Sequence, residues 1–370
     1  MYDVAVLFGG VSPEHDISIL TGLQAERGLT SAKHNVISIY WSKTNEFFLL
    51  KPGCEAHQFK DQIPTGAQRL TLSIGPDGGF FLPGKAFQKP RQIYFDAVLI
   101  ALHGGPGEDG AIQSVFDLAG IKYTGPLASS AAVGMDKYAF SGLCSELGLP
   151  FLDRIVIDKN TTEVSFIGPY ILKPRYGGSS IGIDVIADFP TAKARLNSNV
   201  HLKRGAILEK YRPDLFDIQI ALKTFPNLSL SAIEKPIKSH SSGEILSYKD
   251  KYVAGVGMAD APRELPAILP DGLSKSIRSY AISLATALPV RGVARIDFLT
   301  DGDSEIYVNE INTIPGSLSK YLFIEPPISF ETLLDDLVNE AIHTSNFSPS
   351  TKGADGSALS SAGSIASKLS

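Results

Sequence analysis

Short apolar, β-branched runs and stretches of helical periodicity take turns along almost the whole chain. The runs Tyr2–Phe8, Asn35–Tyr40, Phe95–Leu102, Ile155–Ile157, Tyr170–Lys173, Ala206–Glu209, Ile218–Leu222, Ala294–Leu299 and Ile306–Ile311 predict strands. Strands separated by helices predict mixed α/β and α+β architecture. Residues 1–135 read as strand, helix, strand, a Gly/Pro-rich hairpin region, strand (FDAVLIALH) and helix (AIQSVFDLAG), the order of a Rossmann-like open sheet. Residues 136–212 open on the helix KYAFSGLCSELG, stopped by Gly148 and Pro150, and continue as a small α+β unit. Residues 213–344 carry long strands, the helix SKSIRSYAISLATAL and a last helix around ETLLDDLVNEAIH. From 345 to 370 the composition turns to Ser, Gly and Ala, too little apolar surface to offset ordering entropy, so a disordered tail is expected.

At 370 residues the chain has length for two or three domains at roughly 150 residues each. The formal charge of −5 comes without a Lys/Arg run, so no electrostatic footprint for nucleic acid is expected. No stretch approaches about 18 apolar residues, and the first residues lack the charged-then-apolar pattern of a secretory leader. Cys54 and Cys144 lie far apart with no CxxC spacing, which predicts neither a disulfide framework nor a zinc site. A cytoplasmic protein that binds small molecules, with no nucleic-acid or membrane partner, is the expectation.

Two glycine motifs are decoys. Gly105, Gly107 and Gly110 spell GxGxxG, yet Glu108 and Asp109 inside the turn would repel a pyrophosphate and no acid stands about 20 residues on for a ribose. GFFLPGKA nearly spells a P-loop, but Ala86 replaces the Mg²⁺-binding hydroxyl and Pro83 removes a backbone N–H; a hairpin loop is expected.

The chemistry is carried elsewhere. In ARIDFLTDGDSEIYVNEINTIPGS, period-two alternation puts Arg295 and Asp297 on one strand face and Glu310 with Asn312 on the next. A hairpin would converge three hard oxygen donors, which suits Mg²⁺ completed by substrate phosphates; the plainer alternative is a solvated acidic hairpin. KPRYGGSSIG reads equally as a glycine-rich flap over phosphates or as a hairpin turn. Lys137 and Lys173 stand near element ends as candidate phosphate-binding charges. EKYRPD, leaving a strand, offers backbone groups for a base and Asp217 for a ribose. In GGVSPEHDIS, Ser12 is expected as helix N-cap with Pro13 at the first position. Glu14 then either complements the helix dipole or faces a sheet crevice, suited to a substrate ammonium.

Taken in order, LFGGVSPEHDIS, ALHGGPGEDGAIQ, YTGPLASSAAVGMDK, LKPRYGGSSIG, EKY, YKDKY, RIDF and NEINTIPG resemble the D-alanine:D-alanine ligases of the ATP-grasp superfamily, over about Met1 to Leu322. The resemblance implies an ATP-grasp fold of three domains: Rossmann-like N-terminal, small central and C-terminal. ATP would lie between the last two with two Mg²⁺ ions, Mn²⁺ being an alternative. Carried over by position, Lys137, Lys173 and Lys251 take the ATP phosphates, and Glu209, Lys210 and Tyr211 form the adenine hinge. Asp217 takes the ribose if one residue is inserted. Asp297, Glu310 and Asn312 are the metal ligands. Glu14, Ser179 and Tyr252 form the triad that orders a mobile loop and holds the first substrate's amino group; His103 serves the same substrate. Arg295 and the Gly316 N–H are the oxyanion donors. A homodimer is implied by family analogy alone.

One stretch departs from the family. After the shared Pro-Gly the run is GSLSKYLF, with Ser317 and Leu318 in place of Met-Thr, and Tyr321 with Leu322 where a Ser-Leu pair meets the second substrate. A phenol is far bulkier than a hydroxymethyl group, so a reshaped acceptor pocket is expected. The loop Tyr252 favours an amine acceptor over a hydroxy acid. The resemblance implies an ATP-dependent ligase that joins two D-amino acids, D-alanine with itself first, through an acyl phosphate; the rival expectations are a D-amino acid ligase with another acceptor, or a nucleotide-binding protein without turnover.

Overall fold

The computed structural model describes residues 1–84, 88–237, 262–344 and 350–365. Among the described residues there are three sheets with three apolar cores. The first holds β1 (Asp3–Gly9), β2 (Asn35–Trp41), β3 (Phe47–Leu49), β4 (Gln68–Ser73), β5 (Gly79–Leu82), β6 (Arg91–Ile93) and β7 (Ala97–Ile100), in the order β6-β5-β4-β3-β2-β1-β7. Only β2, β1 and β7 are parallel; the remaining pairings are antiparallel. The Gly/Pro-rich region thus forms the antiparallel flank, in which β5 pairs with β6; Lys85 and Ala86 of the P-loop decoy lie outside the described residues. β1 and β7 are buried almost end to end, as parallel strands covered on both faces must be. Their C-terminal ends open side by side, so residues following β1 and β7 meet in one crevice.

The helix after β1 runs His15–Ser31, not from Pro13. The Ser12 hydroxyl accepts the Glu14 N–H at 3.1 Å, and the Ser12 carbonyl accepts from His15 at 3.1 Å. The Ser12 side chain therefore closes a turn before the helix and caps no N–H group within it, which leaves Glu14 at the helix threshold.

The second sheet contains β8 (Arg154–Ile157), β9 (Tyr170–Pro174), β10 (Asp184–Ile186) and β11 (Ala206–Lys210), antiparallel in the order β10-β9-β11-β8. Helix Phe189–Ser198 contributes Ala192 to its core beside Leu172 and Leu208. The third sheet, β14-β13-β12-β15-β16, is antiparallel: β12 (Phe216–Lys223), β13 (Ser229–Pro236), β14 (Arg263–Glu264), β15 (Val293–Thr300) and β16 (Ile306–Asn312). Helix Asp271–Ala287 lays Leu273, Ile277, Ala281 and Leu284 on it, and helix Lys137–Glu146 adds Phe140 and Cys144 to the same core. Cys54, in the first core, and Cys144 are both free.

The last helix, Phe330–His343, turns back to the first sheet. Leu333, Leu334, Leu337 and Val338 are all buried there, against the first helix and β7. At about 1.5–3 kcal/mol per buried aliphatic side chain this helix contributes at most roughly 6–12 kcal/mol to the first core. Residues 350–365 are exposed almost throughout and contain one turn of helix, Ser357–Ser360.

Candidate active site

A cleft of about 1080 Å³, counting its open mouth, lies between the second and third sheets. Lys137, Lys173, Glu209, Lys210, Tyr211, Asp217, Asp297 and Glu310, all named from sequence, line it. The register explains the floor. Glu209 of β11 stands directly opposite Arg154 of β8, and Lys173 of β9 lies diagonally across from it on the other side. The Glu209 carboxylate reaches Arg154 at 2.9 Å and Lys173 at 3.0 Å, with all three side chains buried. Burial works against ionisation of Glu209, but the two cations outweigh it and hold its carboxyl below the usual range. Burial pulls Lys173 down against the attraction of Glu209, and Arg154 and Lys137 add to that pull.

The second phosphate-lysine candidate is set by a helix cap. Asp136 accepts the N–H groups of Tyr138 at 3.0 Å and Ala139 at 3.2 Å, which starts the helix with Lys137 as its first residue. Arg175, at the exit of β9, grips the same Asp136 with two hydrogen bonds. Lys137 is buried, 3.3 Å from Glu310, and donates to the Gly177 carbonyl of the glycine-rich loop. Together the floor places Lys137, Arg154 and Lys173 against the carboxylates of Glu209 and Glu310, and the Lys137 and Lys173 side chains line the cleft.

The glycine-rich loop after β9 spans the gap to the first domain. Ser179 and Ser180 have φ of 53° and 58°, a left-handed conformation uncommon outside glycine. Ser179 is held there by donating its hydroxyl to the Glu14 carboxylate. Gly104 sits at φ +63° on the other side, where a Cβ would come within 2.4 Å of Glu14 Oε2, so only glycine leaves room for that carboxylate. Glu14, His103, Ser179, Arg295, Glu310, Asn312 and Gly316 surround a second, smaller recess behind the cleft.

On the acidic hairpin the pairing Arg295↔Asn312 and Asp297↔Glu310 matches the alternation expected, with a bulge after Asp297 that admits Asn309. Arg295 binds Asp297 through both Nε and Nη2, at 2.7 and 2.8 Å, and Asn312 donates to Asp297 at 3.2 Å. Asp297 is thus already engaged by the neighbouring Arg295. Among the described residues no three His, Cys, Asp or Glu side chains form a cation cage; the candidate set has two acids and one amide. Such a set fits Mg²⁺ only if phosphates and water complete the shell.

Four assignments carried over by resemblance take a different form here. The Glu209 carboxylate points into the ion cluster, which leaves only its backbone groups for a nucleotide base, and the neighbouring Tyr211 N–H donates to the Pro169 carbonyl at 2.9 Å. His103 is buried with both ring nitrogens occupied, by the Ile314 carbonyl at 2.7 Å and Thr21 at 2.8 Å. Leu322 is wholly inside the first core. Tyr321 lies under the Arg263 guanidinium, 4.4 Å from its ring centre, and Arg263 pairs with buried Glu234 at 2.9 Å. Lys251 and Tyr252 lie outside the described residues. Sequence reasoning missed Arg154, because only strand register sets it opposite Glu209, and treated Glu108 merely as an obstacle to pyrophosphate. Glu108 is buried, and burial followed by the nearby Glu14 charge pushes its carboxyl up to about 8.

A nucleotide-sized cleft with a cationic floor between two antiparallel sheets, behind a Rossmann-like domain, defines the class: the ATP-grasp fold. The solved structures agree. D-alanyl-alanine synthetase A from Vibrio cholerae superposes with a TM-score of 0.75 at 22% identity, covering 92% of this chain and 98% of that one. The VanG D-Ala:D-Ser ligase from Enterococcus faecalis gives 0.74 at 24%, covering 92% and 99%. The family models of the D-ala D-ala ligase N-terminus and C-terminus match residues 3–126 and 145–339. A D-alanine--D-alanine ligase of Thermosipho africanus is 30% identical over 352 residues, 92% of this chain and 93% of that protein. The chain belongs to the D-alanine–D-alanine ligase family, ATP-dependent carboxylate–amine ligases acting on small molecules.

Proposed function

We propose that the chain joins two D-amino acids at the expense of ATP, D-alanine with itself as the leading pair, to supply a dipeptide for cell-wall peptidoglycan. The observation that carries the reading is the pair of buried lysines, Lys137 and Lys173, that line the cleft between the two sheets and would serve as point charges for a polyphosphate. In the reaction proposed, the first substrate's carboxylate attacks the γ-phosphorus of ATP, releasing ADP and leaving an acyl phosphate. The second substrate's amine then attacks the acyl carbon, and inorganic phosphate departs with its bonding electrons while the amine loses a proton. Glu14 holds the first ammonium; Lys137 and Lys173 hold phosphate oxygens in place. Arg295 and the Gly316 N–H take the oxyanion that develops on the acyl oxygen. Asp297, Glu310 and Asn312 would hold Mg²⁺, or Mn²⁺, whose charge when bound offsets that of the phosphates. A cytoplasmic homodimer is the family expectation.

A second reading keeps the activation half and changes the acceptor. Tyr321, with Leu322, stands where the family's Ser-Leu pair is expected, and the Arg263 guanidinium, paired with Glu234, lies over its ring; that favours it. Phosphate release from ATP, measured against pairs of D- and L-amino acids and hydroxy acids, separates the readings. D-alanine alone supports the first; release that needs another acceptor selects the second. No release with any pair would sink both and leave nucleotide binding without turnover.

A further inference from the structure

The peptide segment that contains Gly316 is tethered to the first domain on both sides. Before it, Ile314 is gripped at both backbone groups: its N–H donates to Glu108 Oε1 at 3.1 Å, and its carbonyl lies 2.7 Å from His103 Nδ1. After it, the Ser317 N–H donates to Thr21 Oγ1 at 3.1 Å, and Thr21 Oγ1 lies 2.8 Å from His103 Nε2. The proton positions follow from the partners. A carbonyl only accepts, so Nδ1 carries the hydrogen; the buried ring is neutral, so Nε2 accepts the Thr21 hydroxyl proton and leaves the Thr21 oxygen free to accept from Ser317. Glu108 is anchored in turn by the Gly104 N–H on Oε2 at 2.9 Å. Thr21, His103 and Glu108 are all buried, at 1%, 4% and 8% exposure.

The tether has something to resist. Ser317, Leu318 and Ser319 have φ of 48°, 51° and 49°, three successive left-handed L-residues. That conformation is disfavoured at each of them. Released from Thr21, the segment would relax toward ordinary backbone and carry the Gly316 N–H away from the recess.

We propose that Thr21 and Glu108 are positioning residues, which act with His103 as a clamp fixing the Gly316 N–H at the place where the oxyanion develops. This rests on the ligase reading for its kinetic consequence, but not for its structural one. The experiment therefore has two readouts. Hydrogen exchange at the Ile314 and Ser317 amides should accelerate at least tenfold in Thr21→Val and in Glu108→Gln, and return toward wild type in Thr21→Ser, which keeps the hydroxyl. In the D-alanine assay, Thr21→Val should lower kcat at least tenfold with KM for ATP within twofold, and Thr21→Ser should restore kcat. A generally loosened fold would move both constants and would not be rescued by serine. Unchanged exchange in both variants, or a serine variant as slow as the valine one, overturns the clamp. If the valine variant does not fold, Glu108→Gln decides by the same two measurements. A wild-type protein without turnover would refute the ligase reading and leave the exchange result to judge the clamp.

Discussion

Replacing Glu209 with glutamine isolates the ion cluster under the cleft. The amide fills the same space, but Arg154 and Lys173, 2.9 and 3.0 Å away, then lose the carboxylate they share and keep only the more distant Glu310 as counter-charge. Breaking a buried pair from one side costs about 3–5 kcal/mol, because the abandoned charge stays desolvated. Here two charges are abandoned, which argues for the upper part of that range, relieved by loss of the Lys173 proton, since burial already pulls that lysine down. The loss should be local. Every 1.4 kcal/mol is tenfold in an opening equilibrium, so amides of β9 and β11 should exchange roughly 10²–10³ times faster. Strands of the first sheet should be unaffected. ATP, by returning negative charge to the floor, should recover part of the protection. Adding Lys173→Met to Glu209→Gln should cost less than the sum of the single changes. Exchange within threefold of wild type in Glu209→Gln would refute the argument that this carboxylate exists to neutralise the floor.

Glu310→Gln should cut turnover by at least about 100-fold and raise the Mg²⁺ concentration needed for half-maximal rate; turnover retained at ordinary Mg²⁺ would count against the metal assignment. Tyr321→Ser should redistribute rates among second substrates in the pairwise phosphate-release assay, and an unchanged profile would show that this side chain does not set the acceptor. Burial pulls His103 down to about 4, with Arg295 helping and the Ile314 carbonyl opposing. The unfolded ring takes a proton near pH 6.5 while the folded one does not, so its contribution is complete above 6.5 and is lost as pH falls toward 4, about 3 kcal/mol in all. Urea titrations of wild type and His103→Gln over that window check it: the gap between the two stability curves should close with acid, and parallel curves would refute the buried neutral ring. Comparing the two proteins separates the ring from Glu108, which contributes with opposite sign.

What was legible in the sequence was what local periodicity encodes. β1, β15 and β16 follow from short apolar, β-branched runs, and the pairing of Arg295 and Asp297 with Asn312 and Glu310 follows from alternation, because a strand sorts its side chains two residues at a time. The start of the first helix was misread because a serine before a proline looks like a cap, while here its hydroxyl serves the turn. Partners distant in sequence were illegible. Arg154 and Glu209 are 55 positions apart and meet only through the register of two strands; Thr21 meets His103 and Ser317 only once three segments have packed. His103 is assigned to the first substrate by resemblance alone; it lines the recess, where residues after parallel strands gather, and its hydrogen bonds depend on those packed neighbours.

The last helix gives the order of synthesis a cost. Its leucines complete a core whose sheet is finished at Ile100, about 230 residues earlier. At 5–20 residues per second, the ribosome delivers them roughly 10–50 s after the first sheet has emerged. For that interval the nascent first domain carries an uncovered apolar face along its opening helix, where Leu334 will later lie so close to Gly28 that a Cβ there would sit 2.4 Å from it. The earliest domain to be translated is the last to be sealed, so chains cut short before residue 333 should be captured by chaperones or aggregate, even with all three sheets in place.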